Sequence, residues 1–419
     1  MLRLCSLMIL FFIAVPARAV LDIEVTGAGE HQMPMTIVPF SGEDKLEQQV
    51  SEVIRSDLLR TGLFKLVDPA GKAPHDVPDV NYANWQNVES LLVGQVDKFP
   101  DGHIEVRFHL LDTVKQGELL AQAVSASPEQ ARAIAHHIAD AIYEKLTGAP
   151  GVFSTRIAYV NRQGRYNRLV IADSDGFGEQ TLLAQNQPIM SPSWSPDGSA
   201  LAYVSFERGR AMVFMQPLAT GKPVLLASYP GSNSAPAWSP DGQQLAIVLT
   251  HDGSSQIYLM RKDGSDLRRI TFSEAIDTEP TFSPDGRFLL FTSDRGGSAQ
   301  IYRMPVSGGT AERLTFEGSN NFSPHYSPDG KSFVYTQFND GIFHIAVQDF
   351  LSGQVQILTP GGWEKKPSFA PNGKLILFAT EVNGRGILST VSSDGRVKLK
   401  MTPQQGDIRE PVWGPFVKQ

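Results

Sequence analysis

The stretch PSWSPDGSALAY, beginning at Pro192, returns with few changes forty-four residues later, and the repetition runs to the end of the chain. Aligned on proline, PAWSPDGQQLAI starts at Pro236, PTFSPDGRFLLF at Pro280, PHYSPDGKSFVY at Pro324, PSFAPNGKLILF at Pro367 and PVWGPFVKQ at Pro411, with spacings of 44, 44, 44, 43 and 44 residues. A fixed period of this length restricts the fold to an array of like units that bury their apolar faces against one another. The chemistry within each unit identifies the array. In Ser-Pro-Asp-Gly the proline presets φ at the second position of a type I turn, Asp tolerates the third, and Gly closes the fourth. Between these turns, QIYLMRKDGSDLRRIT from Gln256 and QIYRMPVSGGTAERLT from Gln300 read as strand, short turn, strand. Each repeat therefore holds four strands. The second strand is apolar or small on both sides (Leu201 and Tyr203 one way, Ala202 and Val204 the other), so it must be covered on both faces.

Four strands in roughly 40–50 residues, stacked face to face around an axis, are the blade of a β-propeller. Five inner hairpins are complete. An unpaired strand at Arg156–Val160 and another from Pro411 supply a sixth, so the expected fold is an all-β six-bladed β-propeller closed by N- and C-terminal strands in one blade. The Gly-His and Trp-Asp signatures of WD40 repeats are absent. Trp194, Trp238, Phe282, Tyr326, Phe369 and Trp413 share one position of the repeat and are assigned to packing between blades.

The first nineteen residues differ in character. Arg3 precedes an apolar run from Leu4 to Val15, followed by Ala17-Arg18-Ala19, the pattern of a cleaved signal peptide over 1–19. The apolar run is short of the ~20 residues that span a bilayer. Cleavage removes Cys5, the only cysteine, so the mature chain forms no disulfide. It also removes Arg3 and Arg18, taking the formal charge from −7 to −9. With no Lys/Arg run, no nucleic-acid partner is expected and an anionic membrane surface is a poor candidate.

Residues 20–148 carry no repeat and read as a small α/β domain preceding the propeller of 149–419. Met35–Phe40 reads as a strand and Asp44–Leu59 as an amphipathic helix; strands follow at Phe64–Val67, Ser90–Val96, Ile104–Leu111 and Glu118–Ser125. A helix capped at Ser127-Pro128-Glu129-Gln130 runs to Leu146, and residues 69–81 read as a mobile loop.

Catalytic patterns are missing. There is no GxSxG elbow, HExxH, HxH, P-loop or GxGxxG after a strand, so no catalytic residue, metal site or cofactor is expected. Adjacent helical residues diverge too far for His136 and His137 to share one metal, and His137 is placed beside the apolar face of Ile134, Ile138 and Ala141. Asp173-Ser174-Asp175-Gly176 lacks the remaining ligands of a calcium loop and reads as a turn. Recognition is instead assigned to the variable end of the propeller, where chain-crossing loops such as LASYPGSNSA, FSEAIDTE and PGGWEKK precede each blade's proline. They are polar and on balance acidic, suited to a basic or hydrogen-bonding partner, with a cation at the channel mouth an open option.

The order of signal peptide, α/β domain and PxWSPDG propeller resembles the TolB family of the Tol–Pal system. The segments VGQV at Val93, EKLTG at Glu144, TRIAYV at Thr155, LAYVSFE at Leu201 and FTSD at Phe291 add to the resemblance. It implies a non-enzymatic periplasmic adaptor that binds the peptidoglycan-associated lipoprotein Pal through propeller loops and TolA through the mature N-terminus. Such proteins support outer-membrane integrity and cell division, and some bacteriocins use the same face. Carried onto this chain, the Pal-binding candidates are Ser232, Asn233, Ala235, Thr278, Glu279, Asn321, Phe322 and Ser323. The TolA-binding candidates are Val20, Leu21, Asp22, Ile23, Glu24 and Val25, whose alternating pattern suits strand addition to a partner or, alternatively, a strand within their own domain. A monomer without membrane insertion is expected. The alternatives are a secreted small-ligand- or metal-binding propeller using its channel, and a propeller accessory to a peptidase.

Overall fold

The computed structural model describes residues 22–25, 32–42, 46–401 and 405–416. The signal segment 1–19, Val20 and Leu21 lie outside the described residues.

The repeat forms six sheets around a central channel. Blade 2 shows the common plan, four antiparallel strands at Ile189–Trp194, Ala200–Ser205, Met212–Pro217 and Val224–Ala227, numbered outward from the axis. The inner strands of blades 3 to 6 are Asn233–Trp238, Asp277–Phe282, Asn320–Tyr326 and Lys365–Phe369. Blade 1 joins the two ends of the repeat region: Asp407–Trp413 pairs with Arg156–Gln163, with Trp413 opposite Ile157 and Val412 opposite Ala158. The ring is thus closed by β-sheet hydrogen bonds.

Each Ser-Pro-Asp-Gly turn is cross-braced. Ser195 Oγ donates to Asp197 Oδ1 (2.6 Å) and accepts from Ala200 N (2.9 Å), while Gly198 N donates to the Ser195 carbonyl at 2.9 Å. The glycine stands at φ 69°, the left-handed region that follows a type I turn. In blade 6 Ala370 loses the serine oxygen, yet Gly373 N still reaches the Ala370 carbonyl at 2.8 Å. The shared aromatic position packs between blades: Trp194 lies with Leu201 of its own blade against Ala158, Ile171 and Val412 of blade 1.

The N-terminal domain has a five-strand path, Phe64–Leu66, Met33–Ile37, Ser90–Lys98, Ile104–Asp112 and Gly117–Ala126, with Ser41–Gly42 pairing the middle strand. Helices α1 (Leu46–Leu59) and α2 (Ala131–Thr147) cover one face, and Val50, Ile54, Leu58, Ile134, Ile138 and Ile142 meet Ile37, Leu92 and Phe108 in its core. The segment expected to be a loop, 69–81, contains a 3-10 turn at Val77–Asp79 capped by Asp76, and Lys72 Nζ donates to the Asn84 carbonyl at 2.9 Å. Asp22–Val25 does not join this domain. It forms a fifth, outer strand on blade 6, antiparallel to Val397–Lys400, with Ile23 opposite Leu399.

Candidate protein-binding face

Every inner strand is irregular at the same place. Its register with the second strand slips between the residue two before the blade's proline and the residue after it, as between Ser234 and Ala237 or Thr278 and Thr281. At each slip the residue directly before the proline is left-handed: Ser191 (φ 49°), Ala235 (46°), Glu279 (53°), Ser323 (51°), Lys366 (56°) and Glu410 (52°). Left-handed backbone costs a non-glycine residue on the order of 1–3 kcal/mol, and the following proline adds its own restriction. None of the six is glycine. The bulge turns all six toward the mouth of the central channel, at the crossover-loop end.

The channel encloses about 450 Å³ and has two prolines per blade in its wall, from Pro192 and Pro196 round to Pro411 and Pro415. Proline offers no N–H, so the donors of the wall are side chains such as Ser193, Thr281 and Ser368. His325, also in the wall, is held down at about 4 by burial and stays neutral at pH 7. Charge is concentrated at the mouth. Lys366 Nζ contacts Glu279 Oε1 directly and lies 3.9 Å from Glu410 Oε2. Glu279 also accepts from Ser323 N (2.8 Å), Ser323 Oγ (2.8 Å) and Thr292 Oγ1 (2.9 Å), and Glu410 accepts from Ser191 N at 3.1 Å. Burial would raise the Glu279 carboxyl, but the Lys366 ammonium and the Ser323 donors prevail and hold it at about 2. The same carboxylates push Lys366 upward against its own burial.

Among the expected contact residues, Ala235, Glu279 and Ser323 belong to this ring. Ser232, Thr278 and Phe322 are half-buried beside it. Asn233 and Asn321 are corrections, because both are 0 % exposed and their amides are used internally. Asn233 bonds the Tyr229 N–H and carbonyl, each at 2.8 Å, and Asn321 Nδ2 donates to the Glu317 carbonyl at 2.8 Å. Asp277 and Glu364 occupy the same position three residues before their prolines and likewise turn back into their own loops, onto Ser273 Oγ (2.9 Å) and Thr359 Oγ1. This column clamps the crossover loops from within. Lys366, Glu410 and Ser191 were read only as parts of polar loops. The signal that marks them is the column before each proline, which reads Ser, Ala, Glu, Ser, Lys, Glu.

A second polar cluster lies where the two domains meet. His136, not His137, is the buried histidine, 2 % exposed, with Nδ1 2.6 Å from Asp57 Oδ2. Arg60 Nη2 donates to Asp57 Oδ1 (2.8 Å) and to Ser174 Oγ (3.0 Å), while Arg132 pairs with Asp175 and lies 3.5 Å from Asp173. Asp57, His136 and Asp175 are close enough to share a cation. Arg60 and Arg132 already balance the two carboxylates, so the donor set fits an ion-paired interface better than a metal.

The similarity of this chain to known proteins extends over nearly its whole length. A family profile described as "TolB beta propeller domain" matches residues 143–417, and one described as "TolB amino-terminal domain" matches 21–119. The "Tol-Pal system protein TolB" of Nitrosomonas europaea is 58% identical over 416 residues, covering 99% of this chain and 98% of that protein. The protein of the same name from Dechloromonas aromatica is 61% identical over 402 residues, covering 96% and 94%. The crystal structure of TolB from Acinetobacter baumannii superposes with a TM-score of 0.87 at 38% identity, covering 95% of this chain and 100% of that one.

Proposed function

The chain belongs to the TolB family, and on that premise we propose that it is a non-enzymatic periplasmic adaptor. It binds Pal through the crossover-loop face of the propeller and TolA through the mature N-terminus, supporting outer-membrane integrity and division. The observation that carries the first half is the ring of six left-handed, non-glycine residues. Such strain persists where the side chains serve a purpose that glycine could not, and here it holds polar and charged groups around one opening.

Calorimetric titration of residues 20–419 with the soluble domain of the cognate Pal tests this reading. Saturable one-to-one binding is expected, lost in Ala235→Arg and Thr278→Arg. Absence of binding by the folded wild type would overturn it.

The TolA half rests on Asp22–Val25. As the fifth strand of blade 6, it is the kind of edge element that can exchange between its own sheet and a partner's. Docking on Val397–Lys400 and capture by TolA are then competing states. Deleting residues 20–25 should abolish TolA binding and leave Pal binding intact or stronger; a deletion that still binds TolA would refute this half.

A further inference from the structure

The face is not sixfold in height. In blades 2, 3 and 4 the second and third strands have six residues each, whereas in blades 1, 5 and 6 they have eight each, those of blade 5 running Ser332–Asn339 and Ile342–Asp349. Two added residues raise that hairpin by roughly 6–7 Å. Its top carries Phe338 opposite Phe343, with ring centroids 4.6 Å apart. Phe322 and Phe338 stand on the same side of the sheet, since Asn320 is opposite Phe338 and Phe322 opposite Thr336. Together these rings wall a pocket of about 420 Å³ at the channel mouth, completed by Lys365 and Lys366 of blade 6 and by Glu279, whose carboxylate is taken up by Lys366. That volume is in the range of small ligand pockets, roughly 300–1,000 Å³.

The two lysines differ. Lys366 is neutralised by Glu279 and Glu410. Lys365 has its Nζ 4.0 Å from the centroid of Phe343 and 3.7 Å from that of Trp363, and among the described residues no carboxylate lies within 4.0 Å of it. Arg409, 4.3 Å from the Trp363 ring centroid and itself paired with Asp407 at 3.0 Å, adds like charge. Burial and Arg409 both lower the Lys365 pKa, with Glu381 opposing them only at longer range. The site is braced: Phe343 and Gly362 exchange hydrogen bonds of 3.1 and 2.9 Å, fixing the loop that carries Trp363 to the tall hairpin. A partly buried ammonium held between two aromatic faces, with Glu381 acting on it only from beyond 4.0 Å, is an incompletely paired arrangement. An incoming carboxylate would complete it.

We propose that this pocket anchors an acidic-aromatic segment of a partner protein, one aromatic side chain seating against Phe322, Phe338 and Phe343 while a neighbouring carboxylate pairs with Lys365. The inference rests on the reading of this face as protein-binding, and it assigns the chemistry that the face selects.

The probe is the peptide N-acetyl-Gly-(4-fluoro-Phe)-Glu-Gly-amide, titrated with residues 20–419 and followed by ¹⁹F NMR. Binding is expected to weaken about five-fold when the peptide Glu is replaced by Gln, and by a similar factor in Lys365→Gln. Lys365→Glu should reverse the preference, favouring a peptide with Lys in place of Glu. Phe322→Ser, checked for folding by its melting profile, should abolish the signal. Equal binding of the Glu and Gln peptides, or no response to either Lys365 variant, would overturn the proposal. A parallel titration with the Pal domain separates it from the reading beneath it. Pal binding that is unchanged in Lys365→Gln and Phe322→Ser overturns the anchor while sparing the Pal assignment. Charge-dependent peptide binding by a wild type that does not bind Pal sustains the anchor and overturns that assignment.

Discussion

Removing the positive charge at the channel mouth should cost stability in a way that depends on pH, and Lys366→Met is the perturbation. Holding the Glu279 carboxyl at about 2 instead of its ordinary 4.5 corresponds to roughly 3 kcal/mol favouring the folded, ionised state. Part of that comes from Ser323 and Thr292, whose hydrogen bonds to Glu279 survive the substitution. The pair also keeps some solvent, with side-chain exposures of 32% for Lys366 and 22% for Glu279. It therefore belongs between exposed pairs, at about 0–1 kcal/mol, and fully buried ones, at about 3–5 when one partner is removed. About 2 kcal/mol is expected at pH 7, or on the order of 5 °C in the midpoint of the propeller transition. The sign follows from the depressed acid. Glu279's contribution is fully present above its unfolded pKa of 4.5 and is lost as pH falls through about 2. The gap between wild type and Lys366→Met should accordingly close between those values. Thermal unfolding at pH 7, 4.5, 3.5 and 2.5 measures it, and a cycle with Glu279→Gln isolates the pair from each residue's other contacts. A gap below about 0.5 kcal/mol at pH 7, or one that is constant down to pH 2.5, would refute the reasoning.

Asn233→Ala strands the Tyr229 N–H and carbonyl and should destabilise by about 1–3 kcal/mol. Hydrogen exchange should quicken through 229–233 while other crossover loops keep their protection. Protonating His325 in the channel wall is disfavoured in the folded state, so stability should rise with pH from about 4 to its ordinary 6.5. His325→Gln should flatten that slope, as read from melting midpoints at pH 4.5 and 7. Gly151→Ala would bring a Cβ within 2.3 Å of the Asp140 carboxylate, which accepts from Phe153 N and Ser154 N at 2.7 and 3.0 Å. Loss of that anchor between the domains should appear as earlier proteolysis near residue 150.

The propeller was legible because the chain states it repeatedly: any one PxWSPDG stretch is weak, but the equal spacing of Pro192, Pro236 and Pro280 leaves few ways to bury the strands between them. The N-terminal helices were legible for a similar reason, each writing its apolar stripe in consecutive turns. What did not show was the direction of individual polar residues. Asn233 and Asn321 lie in hydrophilic loops and read as exposed, yet an amide four residues from a backbone group of its own loop is well placed to close on it. The burial of His136 is not written in the apolar stripe of α2, because it comes from polar partners distant in sequence: Asp57 of α1 at 2.6 Å and, across the domain boundary, Asp173 and Asp175 of blade 1 at 4.0 and 3.8 Å.

The face proposed to bind a partner follows from the same logic taken one step further. A repeat makes six positions equivalent in backbone, down to the left-handed residue before each proline, and thereby frees the side chains at those positions to differ. Ser191, Ala235 and Ser323 leave space, whereas Glu279, Lys366 and Glu410 place charge on one side of the mouth. The long hairpin of blade 5 stands beside that charge, as does Lys365, which among the described residues has no carboxylate within 4.0 Å. The scaffold is read from what the repeats share. On the proposed reading a partner reads what they do not, and so the residues hardest to assign from the period are those expected to decide what binds.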